Sequence, residues 1–192
     1  GTGGTASYSF ALAVGSALPS GLSLASNGTL SGTPMAAGSF SFTVNITDTN
    51  GCTDSATLSL TVTCPAITVS PVSLPNGTVG SNYNQSLSAS GGTAAYTFSF
   101  SGNLPTGLSL TPGGTLSGTP TAAGSFTFTV TATDSKNCTG SRQYTITVNC
   151  PTLGATPTTL PAGIVGSPYN QTINGTGGTA SYSFALAVGS AL

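Results

Sequence analysis

The chain has 192 residues, of which only Asp48, Asp54, Asp134, Lys136 and Arg142 are charged; the formal net charge is −1 and there is no His. Binding to nucleic acid or to an anionic membrane surface needs clustered Lys and Arg, and spanning a bilayer needs an apolar run of about 18 residues; the sequence has neither, so no nucleic acid and no membrane insertion is expected. General acid–base catalysis usually rests on His or paired carboxylates, so the chain is expected not to be an enzyme.

The first 18 residues, GTGGTASYSFALAVGSAL, recur letter for letter as residues 175–192, an offset of 174. A looser repeat lies inside that offset. LPSGLSL (18–24) returns as LPTGLSL (104–110), and GTLSGTPMAAGSFSFTV (28–44) returns as GTLSGTPTAAGSFTFTV (114–130), both displaced by 86. Periods this long point to one domain per repeat rather than to the coils of a solenoid. The expected organisation is a window from a longer tandem array. Residues 1–64 form a domain lacking its opening strands, 65–150 a complete domain, and 151–192 the opening strands of a third.

In residues 65–150, Ile67 and Val69 predict a short first strand that Pro71 and Pro75 break. Tyr83, Gln85, Leu87 and Ala89 alternate with polar neighbours as a half-buried strand does. Gly91-Gly92 turns the chain, and Tyr96, Phe98 and Phe100 carry the next strand toward the core. LPTGLSL and PGGTLSGTP give short strands and tight turns. Phe126, Phe128, Val130 and Ala132 alternate with Thr127, Thr129, Thr131 and Thr133 in the clearest strand. DSKN (134–137) is a turn, and Tyr144, Ile146 and Val148 form the last strand. About seven short strands with frequent turns and no amphipathic helix predict an all-β fold: tandem immunoglobulin-like antiparallel β-sandwiches.

The string LPxGLSLxxxGTLSGTPxxAGSFxFTVxxTD, at 18–48 and 104–134, resembles the Ig-like repeats of bacterial surface and secreted proteins. LPNGTVGSNYNQSL (74–87) and LPAGIVGSPYNQTI (160–173) fit the linking half of such repeats. The resemblance implies spacers, stalks or adhesive arms, with no catalytic residues to carry over.

Cys52 and Cys138 lie 86 apart, as do Cys64 and Cys150. Cys52 and Cys64 flank one predicted strand of roughly 40 Å, too long for the Cα separation of under about 7 Å that a disulfide needs. In an Ig-like sandwich the last strand leaves at the pole opposite the F–G turn, so it delivers Cys64 beside that turn in the next domain. The expectation is an interdomain Cys64–Cys138 bridge, with Cys52 and Cys150 bridging to neighbouring repeats. Free buried thiols, or pairing between chains of a bundle, are the alternatives. Without His or CxxC spacing no metal or other cofactor is expected. Asp48 and Asp134 are read as turn formers; calcium would need more carboxylates. The Thr127–Thr133 ladder could bind ice or polysaccharide, but Thr also favours solvated strand positions and the sister strand does not keep the ladder.

The functional expectation is a structural protein: a repeat segment of a long fibre, extracellular or at the cell surface, that self-associates through neighbouring repeats. The alternatives are the stalk of a bacterial surface adhesin, or a carbohydrate-binding array with a glycan ligand.

Overall fold

The computed structural model describes residues 3–5, 7–178 and 180–189. The extreme ends of the expected first and third domains, residues 1–2 and 190–192, lie outside them. The described residues fall into two compact units. One comprises Gly1–Thr68, Ala89–Thr97 and Thr131–Ser141; the other comprises Val69–Ser88, Phe98–Val130 and Arg142–Leu192. No helix occurs among the described residues.

Residues up to 64 form β1 (Ser9–Leu12), β2 (Leu22–Leu24), β3 (Leu30–Gly32), β4 (Gly38–Thr47) and β5 (Thr53–Val62). Strands β1, β4 and β5 make one antiparallel sheet in that order. Phe10 lies opposite Ile46, and Phe40 opposite Leu60. Alternation sends Phe42 and Val44 inward, where both are buried. Strands β2 and β3 form a separate hairpin, with Leu24 opposite Leu30.

Residues 65–150 hold nine strands rather than about seven. They are β6 (Thr68–Ser70), β7 (Gly77–Thr78), β8 (Tyr83–Ser86), β9 (Ser88–Ser90), β10 (Thr97–Gly102), β11 (Leu108–Leu110), β12 (Thr115–Gly118), β13 (Gly124–Thr133) and β14 (Thr139–Asn149). Both extra elements come from strands that change partners. Pro71 and Pro75 separate β6, which pairs with β9, from β7, which pairs in parallel with β14. The strand expected from Tyr83 to Ala89 breaks at Leu87, whose N–H donates to the Gly114 carbonyl at 2.7 Å. Before the break β8 pairs with β12; after it β9 pairs with β6.

The sheets β10-β13-β14-β7 and β11-β12-β8 enclose the core. Phe128, Val130, Tyr144, Ile146 and Val148 point into it from β13 and β14, and Leu116 from β12. The Phe128 and Tyr144 rings meet at 5.9 Å between centroids. Phe98 is buried, but Phe100, at the same parity, is exposed. Parity selects a face of the strand; it does not say how far the opposing sheet extends over that face.

Equivalent residues are covered unequally. Leu116 is 0% exposed, while its counterpart Leu30 is 39% exposed; Tyr144 is 3% exposed and its counterpart Leu58 47%. The difference follows the opening strands. Strand β8 lies along β12, whereas β3 pairs only with β2 among the described residues. Past Cys150 the short strands β15 (Gly154–Thr156) and β16 (Asn174–Thr176) pair antiparallel, with Ala155 opposite Gly175. Leu160, Tyr169 and Ile173 are exposed there, while their counterparts Leu74, Tyr83 and Leu87 are buried.

Leu116→Ala should lower stability by about 3 kcal/mol, the usual cost of emptying a wholly buried leucine site. Leu30→Ala, at the half-covered equivalent, should cost under about 1 kcal/mol. Urea unfolding of the two variants beside the parent chain checks the contrast.

Candidate functional site

The β13–β14 turn is built around the buried side chain of Asp134. Its Oδ1 accepts the N–H groups of Lys136 at 2.8 Å and Cys138 at 2.9 Å, and its Oδ2 accepts that of Thr93 at 2.8 Å. The Asp134 N–H in turn donates to the Cys138 carbonyl at 2.9 Å. Asn137 holds φ at 64°, a left-handed conformation that Asn tolerates better than most residues. Gly92, with φ of 67°, lets the Gly91–Thr93 turn approach; a Cβ there would lie 2.6 Å from Asp134 Oδ2. The Thr93 N–H, with the amides of Cys138 and Lys136, stabilises the charged form and holds the Asp134 carboxyl below its ordinary value.

This turn fixes the position of Cys138, which is buried and joined by a disulfide to Cys64, two residues past the end of β5. The two Cα atoms are 5.5 Å apart, and 74 residues separate the pair in sequence. Both cysteines belong to the first compact unit. The segment after Cys64 runs close over Gly91 and Gly140. A Cβ at Gly91 would lie 2.0 Å from the Ala66 carbonyl oxygen, and one at Gly140 would lie 2.1 Å from that of Ile67. Beside the bridge is a cleft of about 100 Å³ that includes Met35, Val62, Thr93 and Lys136 in its lining.

Asp48 repeats the arrangement. Its Oδ1 accepts the N–H groups of Asn50 and Cys52, both at 2.9 Å, and its Oδ2 accepts that of Thr5 at 3.1 Å. The Thr5 N–H is the largest influence lowering its pKa, followed by that of Cys52. Both oxygens of each aspartate are therefore engaged by backbone amides. Cys52 is presented as Cys138 is, but it is an exposed free thiol. Cys150 is also exposed and free. The structure thus brings Cys64 and Cys138 together and leaves Cys52 and Cys150 apart; the partners expected for those two belong to neighbouring repeats. Next to Cys52 is an open cleft of about 500 Å³, lined by Gly4, Tyr8, Ile46, Asp48 and Asp54 among others. Among the described residues no three His, Cys, Asp or Glu side chains gather as metal ligands would.

The Thr ladder sits on the outer parity of β13. Thr127 is exposed and its hydroxyl meets that of Thr145 at 3.0 Å; in the earlier repeat a like contact joins Thr43 and Thr57, at the positions equivalent to Thr129 and Gln143. Sequence reasoning missed the glycine turn as a partner of the aspartate. Its signal is present, since GGTAxY occurs at 3–8, 91–96 and 177–182. In each copy the tyrosine hydroxyl donates to the carbonyl of the first glycine: Tyr8 to Gly3, Tyr96 to Gly91 and Tyr182 to Gly177.

Two sheets closed over an alternating core, joined to the preceding repeat by a bridge at an aspartate-built turn, define an Ig-like β-sandwich repeat. The chain belongs to the family described as Putative Ig domain, which matches residues 1–63 and 65–149. No curated relative matches the sequence. Among solved structures, a putative alpha-galactosidase from Bacteroides fragilis NCTC 9343 is 24% identical, with TM-score 0.39 over 45% of this chain and 18% of that one. Protocadherin Gamma B7 extracellular cadherin domains 1–4 are 16% identical, with TM-score 0.37 over 83% and 46% of the two chains. Mouse Cadherin-23 EC22–24 is also 16% identical, with TM-score 0.36 over 74% and 53%. The chain spans less than two thirds of the length of each.

Because the folded pKa of Asp134 is depressed, its stabilisation is present above the ordinary value of 3.8 and is lost as pH falls through the folded value. Asp134→Asn should flatten this acid limb, read as the urea midpoint between pH 6 and pH 2. Reducing the Cys64–Cys138 bridge should cost about 4 kcal/mol, the chain-entropy value for a loop of this length. Urea unfolding with and without reductant, set against Cys138→Ser, measures that loss.

Proposed function

We propose that this chain is a repeat segment of a long extracellular fibre built of disulfide-stapled Ig-like domains that associate end to end. The supporting observation is the Cys64–Cys138 bridge. It ties the residue after one family-matched segment to a turn inside the next, and so restricts hinge motion at that joint. Cys52 and Cys150 offer exposed thiols at the equivalent positions, so the same link can repeat along an array. Disulfides persist in oxidising surroundings, which favours an extracellular or cell-surface location. A surface with few charges stays hydrated with little dependence on salt, and it lacks the electrostatic barrier that opposes self-association. The alignment of function with structure is mechanical: nothing in this reading requires catalysis, a cofactor or a nucleic-acid partner.

Electron microscopy of native, unreduced material tests the reading. Each sandwich should add roughly 40 Å, so uniform filaments should show an axial repeat of roughly 80 Å for the two-domain unit. Isolated thin arms ending in a distinct head would overturn the fibre reading and make the repeats the stalk of a surface adhesin.

A further inference from the structure

We infer that residues 150–176 of one copy of this chain seat on residues 3–62 of a second copy, and that Cys150 of the first copy then bridges Cys52 of the second. The inference rests on the proposed end-to-end order of repeats and adds the segment, the register and the covalent link.

The template lies within the chain. Cys64 bonds to Cys138; past it, β7 runs parallel to β14 and β8 antiparallel to β12. Every part has a counterpart displaced by 86 residues. Cys150 and Cys52 correspond to Cys64 and Cys138, and Tyr169-Asn170-Gln171-Thr172 corresponds to β8. Both halves of the corresponding contact are uncovered. On the accepting side Leu30 and Leu58 are exposed; on the donating side so are Leu160, Tyr169 and Ile173. The cleft of about 500 Å³ beside Gly4, Asp48 and Cys52 occupies the place where Cys64–Ile67 crosses Gly92, Asp134 and Cys138. The donating segment is also prearranged, because β15 and β16 are already paired.

Transferring the register gives the expected contacts. The pairs Thr115↔Ser86 and Gly118↔Tyr83 become Thr29↔Thr172 and Gly32↔Tyr169. The parallel pair Val148↔Gly77 becomes Val62↔Gly163. The Leu87 N–H bond to Gly114 becomes one from Ile173 to Gly28. One substitution runs against a plain copy: Asp54 stands where Gly140 admits the Ile67 carbonyl. The donor strand therefore has to sit further from Asp54 than the Ile67 carbonyl sits from Gly140. Donor residues past Thr176 duplicate a segment the acceptor already holds, so they have no seat and stay outside the contact.

The bridge forms by thiol–disulfide exchange with a low-molecular-weight disulfide such as oxidised glutathione. The Cys150 thiolate attacks that disulfide and releases one small thiol. The Cys52 thiolate then attacks the Cys150 sulfur of the mixed disulfide and releases the second. The two cysteines lose two protons and two electrons, which leave in the two small thiols.

The test uses the 192-residue chain in a glutathione redox buffer. A Cys52→Ser chain offers only Cys150 and a Cys150→Ser chain only Cys52, so their mixture should give one covalent dimer, whereas the parent chain should give a ladder. Peptide mapping without reductant should find the Cys52–Cys150 pair. Adding Leu160→Asp and Ile173→Asp to the Cys52→Ser chain should cut dimer yield at least about tenfold, because the contact would bury both carboxylates. The same changes should leave the melting of the unmixed chain in place, since both side chains are exposed in it. Symmetric Cys150–Cys150 dimers as the main product, a Cys52–Cys150 bridge within one chain, or a yield indifferent to the aspartates would each overturn the inference. Association without the Cys52–Cys150 peptide overturns this inference alone. A chain that stays monomeric throughout overturns self-association as well.

Discussion

Leu116 loses all contact with water because β8 runs along β12 and closes one side of the sandwich. Leu30 occupies the same place in an almost identical hairpin, with the same register between its two strands, and remains partly exposed. The hairpin is therefore not what makes the core; the covering strand is. In this fold the covering strands come first in the chain, immediately after the joint. Residues 65–150 therefore owe their closed core to their own opening strands, which lie next in sequence to the joint.

The joint carries a polar device suited to that dependence. Asp134 is buried, yet its carboxylate is satisfied by three backbone N–H groups from two separate turns. Charge-assisted bonds to amides make burial of a carboxylate tolerable where an unpaired one would be costly. By gathering those amides, the aspartate presents Cys138 at the point where Cys64 arrives. Asp48 gathers the equivalent amides and presents Cys52 in the same way, although no cysteine is bonded to it. The turn is thus formed independently of the bridge, and the bridge uses a cysteine already in position.

Much of this was legible in the sequence. Period-two alternation marks β13 and β14, and it gives the inward residues Phe128, Val130, Tyr144, Ile146 and Val148, all of which are buried. The cysteine spacing singled out the four positions. Alternation fails where a strand changes sheets: the Tyr83–Ala89 stretch keeps its period, but Leu87 bonds to Gly114 and the strand divides. It fails again at Phe100, which has the parity of Phe98 without its cover. The glycine turn that feeds Thr93 to Asp134 was overlooked because a Gly-Gly pair reads only as a place where the chain bends.

The duplicated segment separates the two kinds of information. Its tyrosine hydroxyl caps the glycine turn at Tyr8 and again at Tyr182, a contact spanning five residues that local sequence determines unaided. The next residues, SFAL, are also identical, yet Ser9–Leu12 form a strand on β4 while residues 183–186 form none. A strand is satisfied by backbone groups far away in the chain, so its presence is decided by the partner and not by its own residues. The sequence by itself determined turns, facing and the positions of the thiols. Only the tertiary structure decided which edges were paired, because β pairing joins segments whose contact no local pattern specifies.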